Sequence, residues 1–444
     1  MIDMSPELVT ILMLGGLVVA VLTGFPLAIP IGAVALVVGY LTFGDNVVPL
    51  IYQQVFAILH NYVLLALPLF VFMGVVLEYS GIADKMYDAL FLILSGFRGG
   101  LAIITVLLGT VLAACVGVIT ASVTVLTTLA LPSMVKRGYD HSIAAGAICA
   151  GGSLGILIPP SVMLVIYGPM ARISVGKLFF GAMLPGVVLS LLYISYIAIR
   201  CYSQPKLAPV VPVEERAVPA LYKVRLFFTA LVPPIFIILS VLGSIFAGIA
   251  PPTEAAAIGG FAALVLTAAH RRLNWPTLKN ILLRSLNISC MVMIIGAMSV
   301  AFTGVFLKAG GGKVVQELVL SAPGGRWGAF AAVMFIYFIL GFFIEWIGIF
   351  FIMVPILAPL APILGFDPIW FGIMICVNLQ MSFLTPPYAF AIFVLRGVAP
   401  PELGVTTAEI IRGVIPYIFL IMVGLGLCIA FPDIILWLPA QMIK

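Results

Sequence analysis

Long apolar runs alternate with short polar segments along almost the whole chain. A membrane-spanning helix needs roughly 20 apolar residues, and runs approaching or exceeding that length recur from Leu8 to Trp437. The first three predicted spans are 8–25, 26–43 and 48–78, the last of them interrupted at His60 and Asn61, and a later span covers 286–307. The spacing leaves no room for a folded aqueous domain, so the pattern predicts an all-α polytopic membrane protein.

Two of the apolar runs are long enough for two crossings, and we interpret each as a re-entrant hairpin. The first covers about 99–135 and has basic residues at both ends, which places both ends on the cytoplasmic side. Its middle holds a small, hydroxyl-rich stretch from Gly117 to Ser122. The second hairpin covers about 327–364. Two full crossings would satisfy the charges of the first run equally well, so re-entrance rests on the internal repeat.

Two further spans carry helix breakers near their centres. The span over about 141–168 passes through Pro159-Pro160, and the span over about 367–395 passes through Pro386-Pro387. Proline lacks the backbone donor that a helix needs. Such a break persists in a membrane only where it is buried in protein or lines a cavity. Each span is therefore predicted to consist of two half-helices.

One offset relates the two halves of the sequence. Gly138-Tyr139-Asp140 and Gly365-Phe366-Asp367 stand 227 residues apart, as do the two Pro-Pro pairs and the pair Pro132 and Pro359. Each copy contains five crossings and one hairpin, and because five is odd the second copy must be inverted. The predicted organisation is a first repeat over 1–200, a cytoplasmic linker over 201–225 and a second repeat over 226–444.

Composition supports the membrane assignment and excludes several classes of protein. Of the 444 residues, 64% are hydrophobic and 8% are charged, whereas soluble domains carry about a quarter charged residues. The net charge of +5 is too small to indicate nucleic acid as a partner. The six cysteines form no CxxC motif. Asp3 and Glu7 precede the first run without a basic residue, so we expect that run to be an uncleaved span.

Inverted repeats with broken helices are typical of secondary transporters, whose sites lie near the membrane midplane at the repeat interface. The N-termini of half-helices attract anions, and carbonyl groups freed at a break can coordinate a cation. The pattern therefore predicts translocation of a solute coupled to an ion. A membrane enzyme is a competing interpretation, but it needs paired catalytic groups at depth and the sequence shows none, so we predict no enzymatic activity.

Several motifs resemble the large membrane subunit of tripartite ATP-independent periplasmic (TRAP) transporters. They are Pro132–Asp140, Gly155–Ser161 with Ile166-Tyr167-Gly168, Gly248–Ala257 and Leu384–Pro387. The resemblance covers essentially the whole chain. The sequence departs from the family pattern in two places. Thr120-Ala121-Ser122 stands where a Gly-Ser-rich stretch is common, and Glu345 stands where Asp is usual.

The resemblance implies an elevator-type fold and a sodium-driven transporter. This transporter would import small organic anions, such as a C4-dicarboxylate, a 2-oxo acid or a sulfonate. The resemblance implies two partners, a small four-helix membrane subunit and a periplasmic substrate-binding protein. It also implies the lipid bilayer of the bacterial inner membrane and no cofactor besides sodium as the coupling ion. The distribution of Lys and Arg, which concentrate on the cytoplasmic side, predicts that both termini are periplasmic. A stand-alone sodium/dicarboxylate carrier, which needs no partner, is the alternative.

Candidate ligands follow from position and chemistry. Glu345 lies near the tip of the second hairpin, and a membrane-embedded carboxylate is expensive and a functional candidate by default. The alternative is a structural acid that is protonated or locally hydrogen-bonded. Sodium prefers hard oxygen ligands. The predicted sodium site comprises Gly117, Ser122, Gly151, Ser153, Gly155, Glu345, Asn378, Ser382 and Thr385. The predicted substrate site comprises Thr120, Ala121, Ser122, Ser153, Pro159, Pro160, Thr385, Pro386 and Pro387.

Other polar residues favour structural roles. Any single hydroxyl in these clusters is as readily explained by a bond to its own helix. Tyr167 is interpreted as an interfacial aromatic, and Thr253 with Glu254 as a helix cap. No arginine is expected deep in the membrane, which leaves recognition of the anion to backbone amides and hydroxyls.

Overall fold

The computed structural model describes residues 4–117, 119–216 and 218–442, and at 113–116, 213 and 216 it describes the backbone alone. All regular structure in these residues is helical, without a strand, which confirms the all-α class. Eight of the described helical segments are long and apolar enough to cross a membrane. Asp3 and both chain ends, for which an orientation is predicted, lie outside the described residues.

The first half of the chain forms ten α-helices. They are α1 (Pro6–Val21), α2 (Ala28–Phe43), α3 (Val47–Leu59), α4 (Ala66–Tyr79), α5 (Ile82–Leu94), α6 (Gly100–Val116), α7 (Ile119–Lys136), α8 (His141–Ser153), α9 (Val162–Ala171) and α10 (Val175–Ser203). Helices α6 and α7 form the first predicted hairpin, and α8 and α9 are the halves of the first broken helix.

The second half forms eleven helices. They are α11 (Ala220–Phe246), α12 (Pro252–Ala269), α13 (Trp275–Lys308), α14 (Gly311–Leu320), α15 (Gly325–Leu340), α16 (Trp346–Leu357), α17 (Leu360–Ile363), α18 (Pro368–Leu384), α19 (Phe390–Val398), α20 (Thr407–Ala430) and α21 (Asp433–Ala440). Helices α15 and α16 form the second hairpin, and α18 and α19 are the halves of the second broken helix.

The predicted interruptions fall where the sequence places them. Helix α3 ends at Leu59, immediately before His60 and Asn61, and Asn61 caps the 3-10 turn that leads into α4. Irregular backbone separates α8 from α9, and α18 from α19, in both cases around a Pro-Pro pair. Both Pro-Pro peptide bonds are cis.

The repeated Gly-aromatic-Asp motif stops one helix and starts the next. Gly138 and Gly365 have φ angles of 75° and 72°, a left-handed conformation that glycine adopts without a Cβ penalty. Asp140 and Asp367 then accept hydrogen bonds from the first free backbone amides of α8 and α18. Such caps contribute about 1 kcal/mol each, so these residues fix where each broken helix begins.

Three boundaries differ from the sequence interpretation. Helix α10 continues to Ser203 and α11 begins at Ala220, so the non-helical connection is shorter than 201–225. Helix α7 begins at Ile119, which places Thr120 to Ser122 in its first turns rather than in an extended tip. Helix α13 begins at Trp275, eleven residues before the predicted start of its span at 286, because Asn274 caps it and Pro276 occupies its first turn.

The prediction for Thr253 and Glu254 is correct only in part. Helix α12 takes Pro251 as its N-cap and has no side-chain cap, so the predicted Thr253 hydroxyl cap is wrong. Proline preorganises the first turn instead. Glu254 lies in that first turn, where a carboxylate interacts favourably with the helix dipole.

Two sets of helices border the candidate site, and they contact each other where α13 packs on α16 and α4 packs on α6. Helix α13 packs on α2, α3 and α4, and α4 packs on α12; we call α2, α3, α4, α12 and α13 the frame. The second group, which we call the hairpin group, comprises α6–α10, α15, α16 and α18–α20. Within it, α8 and α20 cross so closely that a Cβ on Gly146 or Gly413 would collide with backbone of the other helix. Small residues permit such close crossings in membrane proteins.

Packing follows the 227-residue offset. Helix α10 contacts α18 as α20 contacts α8, and α9 contacts α16 as α19 contacts α7. Helix α5 likewise contacts α11 as α14 contacts α1. Exchange of the two halves thus preserves these pairs of neighbours. The inverted orientation of one copy relative to the other stays a prediction.

Candidate functional site

A cavity of about 400 Å³ brings the two hairpins together with a frame helix. Ile119 and Thr120, at the start of α7, line it from the first hairpin, and Glu345 to Ile347 line it from the second. Val162 and Phe390, which begin the half-helices after the two breaks, also line the cavity. Arg284 of α13 contributes the remaining charge. Two of the predicted site residues, Thr120 and Glu345, therefore border one space, together with residues that follow the two breaks.

Glu345 is the N-cap residue of α16, but its carboxylate does not cap that helix. Within 4–117, 119–216 and 218–442 the half-buried side chain has neither a hydrogen-bond partner nor an ion-pair partner. The structure thus does not support the interpretation of Glu345 as a locally hydrogen-bonded acid. Because the residue lines the cavity, its carboxylate is available to a cation there.

The first hairpin supplies two different kinds of hydroxyl. Thr120 lines the cavity, whereas Ser122 is fully buried one half-turn later. The Ser122 Oγ atom has no hydrogen-bond partner among the described residues. Ala121 is buried and presents only its methyl group. Of the predicted substrate residues, Thr120 is thus the one whose side chain reaches the cavity.

Two predicted sodium ligands of α18, Asn378 and Ser382, form hydrogen bonds to another helix. Asn378 Nδ2 donates to the carbonyl oxygen of Met334 at 2.8 Å, and Ser382 Oγ donates to that of Phe338 at 3.1 Å. Both acceptors belong to α15. These two residues therefore fasten the second hairpin to α18, a role that the sequence pattern did not suggest.

Two predicted hydroxyls bond within their own helix. Ser153 donates to the carbonyl oxygen of Ala150 at 2.8 Å, and Thr385 donates to that of Met381 at 2.7 Å. Neither lines the cavity. For these two residues the structure gives the local bond that we weighed as the alternative.

The predicted glycines have packing roles. A Cβ on Gly109 of α6 would lie 2.7 Å from the carbonyl oxygen of Gly151, so Gly151 lies at a close helix crossing. Gly117, with φ of 65°, lies against the backbone of Pro160 and Val162 and brings the first hairpin tip to the first break. Gly155 is buried in a 3-10 turn after α8.

The two Pro-Pro pairs have different surroundings. Pro159 and Pro160 are buried, whereas Pro386 and Pro387 are exposed. Neither pair lines the cavity. In a membrane, irregular backbone that is not buried in protein must line a water-filled path. The first break is thus enclosed by protein and the second is open.

The sequence agrees with a known family over nearly its full length. Residues 14–434 match the family model described as Tripartite ATP-independent periplasmic transporter, DctM component. The chain belongs to this family. It is a TRAP transporter large permease, as the motifs around the two Pro-Pro pairs predict.

Individual relatives agree with this assignment. The large permease is 32% identical over 401 residues to the C4-dicarboxylate TRAP transporter large permease protein DctM of Pseudomonas aeruginosa, which covers 90% of this chain and 91% of that protein. It is 29% identical over 413 residues to the isethionate TRAP transporter permease protein DctMQ of Oleidesulfovibrio alaskensis, covering 93% of this chain and 63% of that protein.

A solved structure shares the fold. The Alcanivorax borkumensis YdaH transporter superposes with a TM-score of 0.56 at 16% sequence identity, covering 82% of this chain and 85% of that one. At this identity the similarity concerns the fold alone. It supports a helical transporter architecture for the large permease.

Sequence reasoning missed two polar residues of the large permease. Arg284 was assigned to a loop because the start of α13 was placed too late, and the cap Asn274 with Pro276 is the signal that finds the true start. Arg284 lines the 400 Å³ cavity, and the expectation that no arginine lies deep in the membrane stays a prediction. Gln380 is fully buried in α18, and neither of its amide atoms has a described hydrogen-bond partner. It stands 227 residues after Ser153, so the repeat offset could have found it.

Tyr167 is also placed differently from expectation. The side chain is fully buried rather than interfacial, because α9 packs on α16 and Gly372 of α18 leaves room for the ring. A Cβ on Gly372 would lie 2.5 Å from a ring carbon of Tyr167. Tyr167 is thus a packing residue of the hairpin group.

A second cavity lies at the C-terminal ends of α9 and α13. It has a volume of about 600 Å³, and Arg172 and Lys308 are its charged lining residues. Gln54 and Asn61 add uncharged polar groups. This positive lining favours an anion over a cation.

Proposed function

We propose that this large permease imports small organic anions together with sodium ions, by an elevator movement of the hairpin group against the frame. It works in the bacterial inner membrane with a small four-helix membrane subunit and a periplasmic substrate-binding protein. The observation that carries the proposal is the shared cavity, in which both hairpins, both half-helix starts and an unpartnered carboxylate border one space.

The charges of the cavity give a physical reason why binding of the anion and binding of sodium are coupled. An anion 4 Å from the Glu345 carboxylate is repelled by about 4 kcal/mol at an effective dielectric constant near 20. A sodium ion bound by Glu345 removes this penalty, with hydroxyls such as Thr120 completing a set of hard oxygen ligands. Anion and sodium therefore bind more favourably together than either does alone.

The relatives narrow the class of substrate. Those named here transport a C4-dicarboxylate and isethionate, and these compounds share an anionic carboxylate or sulfonate group. We infer a substrate with such a group. A 2-oxo acid satisfies the same chemistry and stays within the proposed class.

An uptake assay with purified components tests the proposal. The large permease is reconstituted into liposomes with its small subunit, and binding protein, labelled succinate or isethionate and an inward sodium gradient are added. We expect accumulation that collapses when sodium is replaced by potassium or when either partner is omitted. Accumulation without partners would favour the stand-alone carrier, and accumulation without a sodium gradient would contradict sodium coupling.

A further inference from the structure

The only described arginine in the 400 Å³ cavity is held in a position suited to an anion. Arg284 lies nine residues into α13, which corresponds to about 14 Å along the helix. Arg284 shares the cavity with Glu345 and Thr120.

The ion pair of Arg284 leaves much of its guanidinium unused. Its Nη1 atom lies 3.0 Å from Oε1 of Glu78 in α4, and the side chain is 38% exposed while that of Glu78 is 11% exposed. The guanidinium also lies over the ring of Tyr79, with 6.0 Å between Cζ and the ring centroid. A guanidinium carries five N–H donors, so one carboxylate contact leaves donors for a ligand in the cavity.

We propose that Arg284 binds the carboxylate or sulfonate group of the transported anion, and that Glu78 competes for the same guanidinium when the site is empty. Arginine recognises these planar or multi-oxygen groups with two parallel hydrogen bonds, which lysine cannot form. The Oε2 atom of Glu78 is buried without a described partner, so the existing pair uses one carboxylate oxygen and is not the bidentate arrangement that arginine favours.

The position of the pair adds a dependence on conformation. Arg284 and Glu78 both stand on frame helices that contact each other, whereas Glu345 and Thr120 stand on the hairpin group. This inference rests on the proposed elevator movement. As the hairpin group moves, the sodium site travels with it and Arg284 does not, so the arginine sets anion affinity in the state that the structure shows.

Binding to the purified, full-length permease tests the assignment. Isothermal titration with succinate, isethionate and sulfate, each in the presence of sodium, is compared for wild type, Arg284→Gln, Arg284→Lys, Glu78→Gln and the double variant. We expect Arg284→Gln to weaken binding roughly 10- to 100-fold, the usual range for losing a charge-assisted pair. Arg284→Lys weakens it less, and Glu78→Gln leaves it as tight or tighter.

The double variant separates recognition from structure. If the ion pair merely stabilises the fold, removing both charges restores the affinity and the thermal midpoint of the wild type. If Arg284 holds the anion, the double variant binds as weakly as Arg284→Gln. Wild-type affinity in Arg284→Gln or in the double variant, or binding of none of the three anions to the wild type, overturns the proposal. Arg284→Lys supplies the same comparison if Arg284→Gln does not fold.

Failure of this inference is distinguishable from failure of the proposed function. Arg284-dependent binding that is equally tight in potassium contradicts sodium coupling but leaves the arginine assignment intact. Sodium-dependent binding and uptake that are unchanged by Arg284→Gln support the function and overturn the arginine assignment.

Discussion

At the scale of single residues, the structure separates groups that serve packing from groups that are free to bind. Four predicted ligands donate side-chain hydrogen bonds to backbone carbonyl oxygens: Asn378, Ser382, Ser153 and Thr385. Glu345 has no such partner among the described residues and lines the cavity. In the proposed mechanism, sodium binding therefore falls chiefly on Glu345, with the Thr120 hydroxyl in the same cavity.

Glu345→Gln tests the role of this carboxylate. The amide keeps the size of the side chain but removes the charge that attracts sodium, so we expect sodium-driven uptake to fall at least about ten-fold, the effect of losing roughly 1.4 kcal/mol of ion binding. The sodium concentration for half-maximal uptake should rise. Both quantities are measured in the reconstituted system.

Glu254→Gln is the matched control for that experiment. Glu254 is an exposed acid in the first turn of α12, away from the cavity lining, so its substitution should leave uptake close to the wild-type rate. An unchanged rate and unchanged sodium dependence in Glu345→Gln would remove this carboxylate from the mechanism.

At the scale of helices, the sequence predicts the features that depend on neighbouring residues in the chain. The Pro-Pro pairs predict both helix breaks, and the Gly-aromatic-Asp motifs predict the turns before them, because glycine and aspartate act through their own backbone neighbours. The pairing of Asn378 and Ser382 with α15, and the burial of Tyr167, depend on which helices become neighbours. One sequence does not reveal that arrangement, which is why these residues were misjudged.

The contact between the second hairpin and its broken helix is open to a steric test. A Cβ at Gly341 would lie 2.5 Å from Ser382 Oγ, and relieving such crowding typically costs about 1–3 kcal/mol. We therefore expect Gly341→Ala to shift the hairpin tip, to lower the thermal midpoint and to reduce uptake.

Gly397→Ala provides the comparison within α19. Nothing lies within 4 Å of a Cβ built there, so this substitution should preserve uptake and the thermal midpoint. If Gly341→Ala behaves like Gly397→Ala in both measurements, the tip does not depend on its close approach to Ser382.

At the scale of the whole molecule, the proposed transport depends on movement between the frame and the hairpin group. The first break is enclosed while the second is exposed, so the two halves of the molecule differ in accessibility although the sequence repeat relates them. Sequence alone could predict the repeat but not which break is open.

A reversible cross-link between the two groups tests the movement directly. Gly348 of α16 lies against Leu27 beside α2, with 3.1 Å between a Cβ built on Gly348 and Leu27 Cδ2. Cysteines at these positions, in a background from which the six native cysteines are removed, can be joined by a short bifunctional thiol reagent. The control pair is Leu189 with Gly424, which links α10 to α20 within the hairpin group.

Sodium-driven uptake before and after cross-linking is the decisive measurement. The proposed elevator movement predicts that the Leu27–Gly348 link stops uptake, that cleavage of the link restores it, and that the Leu189–Gly424 link leaves it intact. Undiminished uptake by a permease whose Leu27–Gly348 link is complete would contradict transport by movement of the hairpin group against the frame.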